Sequence, residues 1–100
     1  MIIQETVPVT DAATHLAVPT PDMDGDALFR LGLAYSTGAD GCPIDRVSAH
    51  MIFNLAAMKG SLEARTYRRE MSQEMDHDEI AEAQRAARRW IDAGSSHVAA

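Results

Sequence analysis

Apolar residues recur at helical spacing along most of the chain after residue 21. The first such stretch follows i, i+3, i+4 and i+7 spacing, which is typical of one face of an α-helix. Its members are Leu28, Leu31, Gly32 and Tyr35. Asp22 or Asp24 is suited to cap the start of this helix, and Gly38 is suited to end it. The pattern therefore predicts a first helix between these residues.

Two further helices follow, each bounded by residues with suitable capping chemistry. Asp45 is a good N-cap for a second helix, which we expect to run to Lys59 and to end at Gly60. Ser61 can cap a third helix that ends between residues 70 and 73. The second helix is apolar nearly all round, so we expect partners on most of its sides. Its polar interruptions are Ser48, His50, Asn54 and Lys59.

A fourth helix begins at an aspartate form of the capping box. Asp76 and Glu79 have the required separation, so each can satisfy a free N–H group of the other. We expect this helix to continue through Ala93 and to end at Gly94. Four helices joined by short loops favour antiparallel packing of consecutive helices. The prediction is an all-α domain built from antiparallel helical hairpins.

Residues 1–21 differ in composition from the rest of the chain. They contain three of the four prolines, namely Pro8, Pro19 and Pro21, and no Lys or Arg. We interpret them as an extended arm, which is either disordered at its tip or docked in a groove of its own domain or of a second subunit. The predicted organisation is an N-terminal arm (1–21), a helical domain (22–93) and a frayed C-terminal tail (94–100).

A glycine inside the first helix indicates a close crossing between two helices. In a helix interior, Gly32 costs about 1 kcal/mol against alanine, and a tight contact with a second helix can offset this cost. We expect Gly32 to meet the part of the second helix that contains Ala49 and Ala56. Tyr35 and Ile52 would then fill the wider parts of the same hairpin.

The order of small and aromatic residues between residues 27 and 64 resembles the Sel-one-like repeat, a relative of the tetratricopeptide repeat. The matching positions are Ala27, Phe29, Leu31, Gly32, Tyr35, Gly38, Gly41, Asp45, Ala49, Ile52, Ala56, Ala57, Gly60 and Ala64. The chain departs from the repeat in a loop one residue longer after Gly38, in Ile52 where a tryptophan is usual, and in lacking a second Leu-Gly stretch. The resemblance implies a short α/α solenoid of about four helices and a non-catalytic interaction scaffold.

A single repeat leaves apolar surface to be covered, because about three repeats are normally needed for a stable solenoid. We interpret residues 71–91 as a terminal cap, with Trp90 as an anchor in the core. The N-terminal arm, a second copy of the chain or a larger partner can cover the remaining surface. The side chains expected to contact a partner are Phe29, Leu33, Met51, Met58, Arg65 and Arg69. The alternative is that the apolar members belong to the core of a small bundle.

Two arginine stripes could contact a different kind of partner. Each follows i, i+3, i+4 spacing, and their members are Arg65, Arg68 and Arg69, followed by Arg85, Arg88 and Arg89. They could contact nucleic-acid phosphates or an acidic protein segment, or they are solvated faces interleaved with glutamates. The formal net charge of −6 argues against nucleic acid and anionic membranes as main partners.

The chain shows no pattern of catalytic or metal-binding residues. Its four histidines are scattered, and none has HxxxH or HExxH spacing. Because Cys42 is the single cysteine, the chain has no internal disulfide, and this residue is either a packing residue or a reactive or dimer-forming thiol. We find no signal peptide and no membrane-spanning stretch. We therefore expect a cytoplasmic protein without a cofactor, a metal or an enzymatic activity.

These observations predict a small helical adaptor that binds another protein through an apolar helical surface. The alternatives are a nucleic-acid-binding regulator that uses the arginine stripes and a structural homodimer that forms by exchange of the arm. Salt dependence separates the first two, because phosphate contacts weaken steeply with added salt whereas an apolar groove is nearly indifferent to it.

Overall fold

The computed structural model describes residues 17–41 and 43–99, and these ranges contain four α-helices. They are α1 (Gly25–Thr37), α2 (Arg46–Met58), α3 (Leu62–Glu74) and α4 (His77–Ala99). A short 3-10 helix, Ala39–Gly41, lies between α1 and α2. No strand occurs in the described ranges. The prediction of an all-α fold with about four helices is therefore confirmed.

The first three helices begin at the residues that the capping chemistry predicts. The side chains of Asp24, Asp45 and Ser61 each accept a hydrogen bond from the backbone N–H group three residues further on, at 2.8, 3.0 and 3.1 Å. Gly38 ends α1 in the left-handed conformation, with a φ of 72°, and Gly60 follows α2 with a φ of 100°. These residues fix the helix limits through contacts that are local in sequence.

Helix α4 begins as predicted but extends further. The N–H group of Glu79 donates to Asp76 Oδ1 at 2.8 Å, and the N–H group of Asp76 donates to Glu79 Oε1 at 3.1 Å, which completes the capping box. The predicted end at Gly94 is wrong, because α4 continues to Ala99. Glycine ends a helix by turning left-handed, and Gly94 does not have the positive φ of such a residue. The division into arm, domain and tail stays a prediction.

Helix α2 lies at the centre of the fold. It packs against α1, α3 and α4, whereas α3 and α4 make far fewer contacts with each other. Its fully buried apolar residues are Ala49, Ile52, Phe53 and Ala56. Leu28 of α1, Ala64 of α3 and Ala87 of α4 complete the core around it. Consecutive helices therefore pack as expected for α1–α2 and α2–α3. The pair α3–α4 departs from the expectation, because both helices direct their buried alanines towards α2.

Gly32 marks a close approach of α1 to α2, but its nearest neighbour differs from the one expected. Gly32 is buried, and a Cβ atom added there would lie 2.6 Å from the ring of Phe53. The nearest side chain is thus Phe53 and not the predicted Ala49 or Ala56, because the aromatic ring occupies the space that the glycine leaves. A second close approach was not predicted. At Gly25, an added Cβ would lie 2.9 Å from a backbone carbonyl oxygen at the end of α2.

Residues 17–23, which we call the strap, are held against the helices by three side chains. Tyr35, Lys59 and Trp90 donate hydrogen bonds to main-chain carbonyl groups of the strap. This end of the predicted arm is therefore docked on its own domain, and residues 1–16 lie outside the described residues. Trp90 is half-buried and packs against the core, so it anchors both the core and the strap.

Replacing Gly32 with alanine tests the close approach of α1 to α2. We expect Gly32→Ala to lower the free energy of unfolding by about 1–3 kcal/mol, because the fully buried Phe53 ring has little room to move away. Gly94→Ala is the matched control, since an added Cβ there meets no heavy atom within 4 Å apart from its chain neighbours and the nearby backbone of its own helix. This control should leave stability unchanged or raise it by up to about 1 kcal/mol. Urea unfolding followed by circular dichroism measures both, and equal stabilities of Gly32→Ala and wild type would contradict the crossing.

Candidate functional site

A groove lies over α2 between α3 and α4, and we call it the α2–α3–α4 groove. It consists of a cavity of about 340 Å³ lined by α2, α3 and α4 and a cavity of about 580 Å³ lined by α2 and α4 alone. Asn54 and Gln84 line both cavities. The remaining lining residues are His50 of α2, Arg68 and Ser72 of α3, and Ile80, Ala87, Arg88, Ile91 and Asp92 of α4. The groove exists because α3 and α4 both pack on α2 and make few contacts with each other.

The centre of the groove carries two side-chain amides. Asn54 Oδ1 accepts a hydrogen bond from Arg68 Nη1 at 2.6 Å, which orients the Asn54 side chain and leaves its NH₂ group without a partner in the described residues. Gln84 is exposed on α4 and makes no hydrogen bond to the described part of the chain. An amide can donate and accept hydrogen bonds at the same time. The two side chains can therefore bind both kinds of main-chain group of a ligand.

A buried histidine connects the floor of the groove to α3. The Ser72 hydroxyl donates to the Arg68 carbonyl at 2.9 Å, so its oxygen accepts a hydrogen bond from His50 Nε2, which lies 2.8 Å away. The proton of the neutral imidazole is therefore on Nε2. His50 is only 3% exposed, and its Nδ1 atom is buried with no hydrogen-bond partner. This chain of bonds ties α2 to α3 at one end of the groove.

The surroundings of His50 favour its neutral form. Burial lowers the pKa of His50 below its ordinary value of 6.5, and the positive charge of Arg68 lowers it further. Protonation would place a second N–H donor on Nδ1, where no acceptor is available. The sequence contained one indication of this arrangement, because His50 and Asn54 interrupt an apolar helix at i, i+4 spacing and therefore lie on one face.

The predicted partner-contacting residues lie elsewhere. Phe29 is half-buried, with its ring centroid 6.0 Å from that of Phe53 and 5.2 Å from that of Tyr67. Leu33 and Met51 are also half-buried and pack against the core. The other three, Met58, Arg65 and Arg69, are exposed. None of the six lines the α2–α3–α4 groove, and their role in binding stays a prediction.

The groove brings together one member of each arginine stripe. Arg68 lines one cavity and Arg88 lines the other. The remaining members are Arg65, Arg69, Arg85 and Arg89, which are exposed. Arg68 is half-buried and already bonded to Asn54, so it is less free for a phosphate than its position in the stripe suggested.

Several other findings bear on the functional class. Within the described ranges, no group of three or more His, Cys, Asp or Glu side chains could hold a metal ion. None of the helices described is both long enough and apolar enough to cross a membrane. Cys42, whose reactivity the sequence left open, lies outside the described residues. Comparison of the chain with protein-family models, with curated proteins and with solved structures gives no significant match.

Substitution of His50 should change how stability depends on pH. Below pH 6.5 the unfolded chain protonates this histidine, whereas the folded chain does so only at lower pH because its pKa is depressed. The free energy of unfolding should therefore fall as the pH drops from 6.5 through the lowered pKa of the folded state. In His50→Gln this loss should be absent, because an amide can donate to Ser72 without titrating.

The measurement is urea unfolding of wild type, His50→Gln and His77→Gln across this pH range. His77→Gln is the matched control, because it removes an exposed histidine at the start of α4. Parallel curves for wild type and His50→Gln would show that the buried imidazole does not control the pH dependence.

Proposed function

We propose that this chain is a non-catalytic binding module that holds a segment of a partner protein in the α2–α3–α4 groove. One observation carries the proposal: the surface of α2 beside α3 and α4 holds a groove that presents two side-chain amides with unused hydrogen-bonding capacity. A packed pair of helices would have closed this surface. The resemblance of residues 27–64 to the Sel-one-like repeat supports the same class of function.

The lining of the groove suits an extended peptide. Each residue of such a peptide presents one N–H donor and one carbonyl acceptor, and the amides of Asn54 and Gln84 match both. Ile80 and Ile91 each line one of the two cavities, so both ends can accept apolar side chains. Arg88 and Asp92 line the same cavity, so they favour an acidic and a basic residue of the ligand, respectively.

Nucleic acid is the second candidate ligand, because Arg68 and Arg88 line the same groove. A phosphate backbone would need several free cations, and one of these two arginines is already bonded to Asn54. The formal net charge of −6 also opposes long-range attraction of a polyanion. A protein segment is therefore the better supported ligand.

Selection of displayed random peptides against the full chain tests the proposal. Peptides that bind wild type should bind Gln84→Ala about fivefold more weakly, which is the effect of about one lost hydrogen bond. Gln73→Ala is the matched control, because Gln73 is an exposed glutamine of α3 outside the groove. Affinities are measured by fluorescence anisotropy at low and high salt.

Three results would contradict the proposal. Binding that is lost in Met58→Ala but retained in Gln84→Ala would place the partner on the surface predicted from the sequence. Affinity for an oligonucleotide that falls steeply with salt would support the nucleic-acid alternative. A doubled mass by light scattering, without peptide binding, would support the homodimer.

A further inference from the structure

The strap is recognised through its main-chain carbonyl groups. Trp90 Nε1 donates to the Pro19 carbonyl at 3.2 Å. Tyr35 Oη donates to the carbonyl of residue 17 at 2.8 Å. Lys59 Nζ donates to the carbonyls of residues 21 and 23 at 2.6 and 2.7 Å. All four acceptors belong to alternate residues of one short segment, and all donors belong to the helical body.

The three donors come from distant parts of the chain. Tyr35 lies near the end of α1, Lys59 directly follows α2, and Trp90 lies in α4. Tyr35 and Trp90 are half-buried and pack against the core, so their positions do not depend on the strap alone. We call these three residues the carbonyl-binding site. A set of donors fixed on a folded body can bind the main-chain carbonyl groups of a short segment.

Two prolines make the strap a suitable ligand for such a site. Proline has no N–H group, so Pro19 and Pro21 place no donor that needs an acceptor on the helices. Pro21 also occupies the second position of a turn that is closed by a hydrogen bond from the N–H group of Met23 to the Thr20 carbonyl at 3.1 Å. Recognition of a pre-formed proline-containing segment by aromatic side chains is a general mode of peptide binding, because little conformational entropy is lost.

We propose that the carbonyl-binding site is a second peptide-binding site, specific for short proline-containing segments of a partner protein and occupied in the free chain by the strap. All four hydrogen bonds from the helical body go to main-chain carbonyl groups, and the Met23 side chain adds an apolar contact with the core. A foreign segment with the same backbone shape and an apolar residue at the last position therefore satisfies the same donors. The tethered strap competes with the partner for the site. This inference does not depend on the α2–α3–α4 groove.

A labelled synthetic peptide with the sequence of residues 17–23 serves as the probe, and the full chain is used throughout. In Pro19→Ala/Pro21→Ala the strap should be held less tightly, so the peptide should bind several-fold more tightly than to wild type. Adding Trp90→Phe to this variant should weaken binding several-fold, because the ring remains but the indole donor is lost. A peptide with alanine in place of both prolines should bind more weakly than the probe.

Nuclear magnetic resonance reports the state of the strap directly. Trp90 is the single tryptophan, so its indole N–H resonance is unambiguous. If the strap stays docked in the double proline variant, the test is made on wild type instead. Excess probe should then displace the wild-type strap and move the Val18 amide resonance to the position of an undocked strap. Failure of that movement, or equal binding to the Trp90→Phe variant, would overturn the proposal. A doubling of mass in place of peptide binding would instead show exchange of straps between two copies.

Gln84→Ala separates this inference from the proposed function. The substitution lies in the groove and should leave binding of the proline-containing probe unchanged, while it weakens peptides selected for the groove. If both kinds of peptide respond to Gln84→Ala, the two sites are not distinct and the inference fails. If the selected peptides bind Gln84→Ala as tightly as wild type while the probe also binds both, the carbonyl-binding site stands and the groove proposal falls.

Discussion

The burial of α2 is the constraint on which the rest of the structure depends. This helix contacts the other three, and its residues Ile52 and Phe53 are fully buried at the centre of the core. A chain of this length can bury only a limited core, so one helix that is apolar on most sides organises all of it. Because α1, α3 and α4 each bury their apolar residues against α2, they make few contacts with one another. The space between α3 and α4 is a direct consequence.

The polar interruptions of α2 determine what that space contains. His50 and Asn54 lie on the one side of α2 that faces the groove, and each is bonded to α3. A buried polar group is costly unless it is hydrogen-bonded, and both side chains meet most of this requirement through Ser72 and Arg68. Among the buried side-chain atoms of these two residues, the exception is His50 Nδ1. The same bonds therefore position α3 and give the groove a polar floor that suits a peptide main chain.

The helix limits were predictable because they depend on neighbours in sequence. Asp24, Asp45 and Ser61 act as caps through bonds to residues three positions away, and such bonds form in any helix with those residues. The prediction that α4 ends at Gly94 was wrong because a glycine permits a left-handed helix end but does not require one. The presence of a close approach at Gly32 was also predictable, since a buried helical glycine needs a near neighbour. The identity of the residue that fills the space beside Gly32 was not predictable, because it depends on the rotation of α2 about its axis.

The sequence by itself determined the all-helical fold, the starts of the helices and the apolar character of α2 on most of its sides, because capping and periodicity act over a few residues. Only the tertiary structure decided that α3 and α4 would leave a groove, and that Tyr35, Lys59 and Trp90 would converge on residues 17–23. Trp90 and Pro19 are 71 positions apart in the chain, so no local pattern relates them. Their meeting depends on the angles at which the helices cross, and those angles follow from how side chains fill the core.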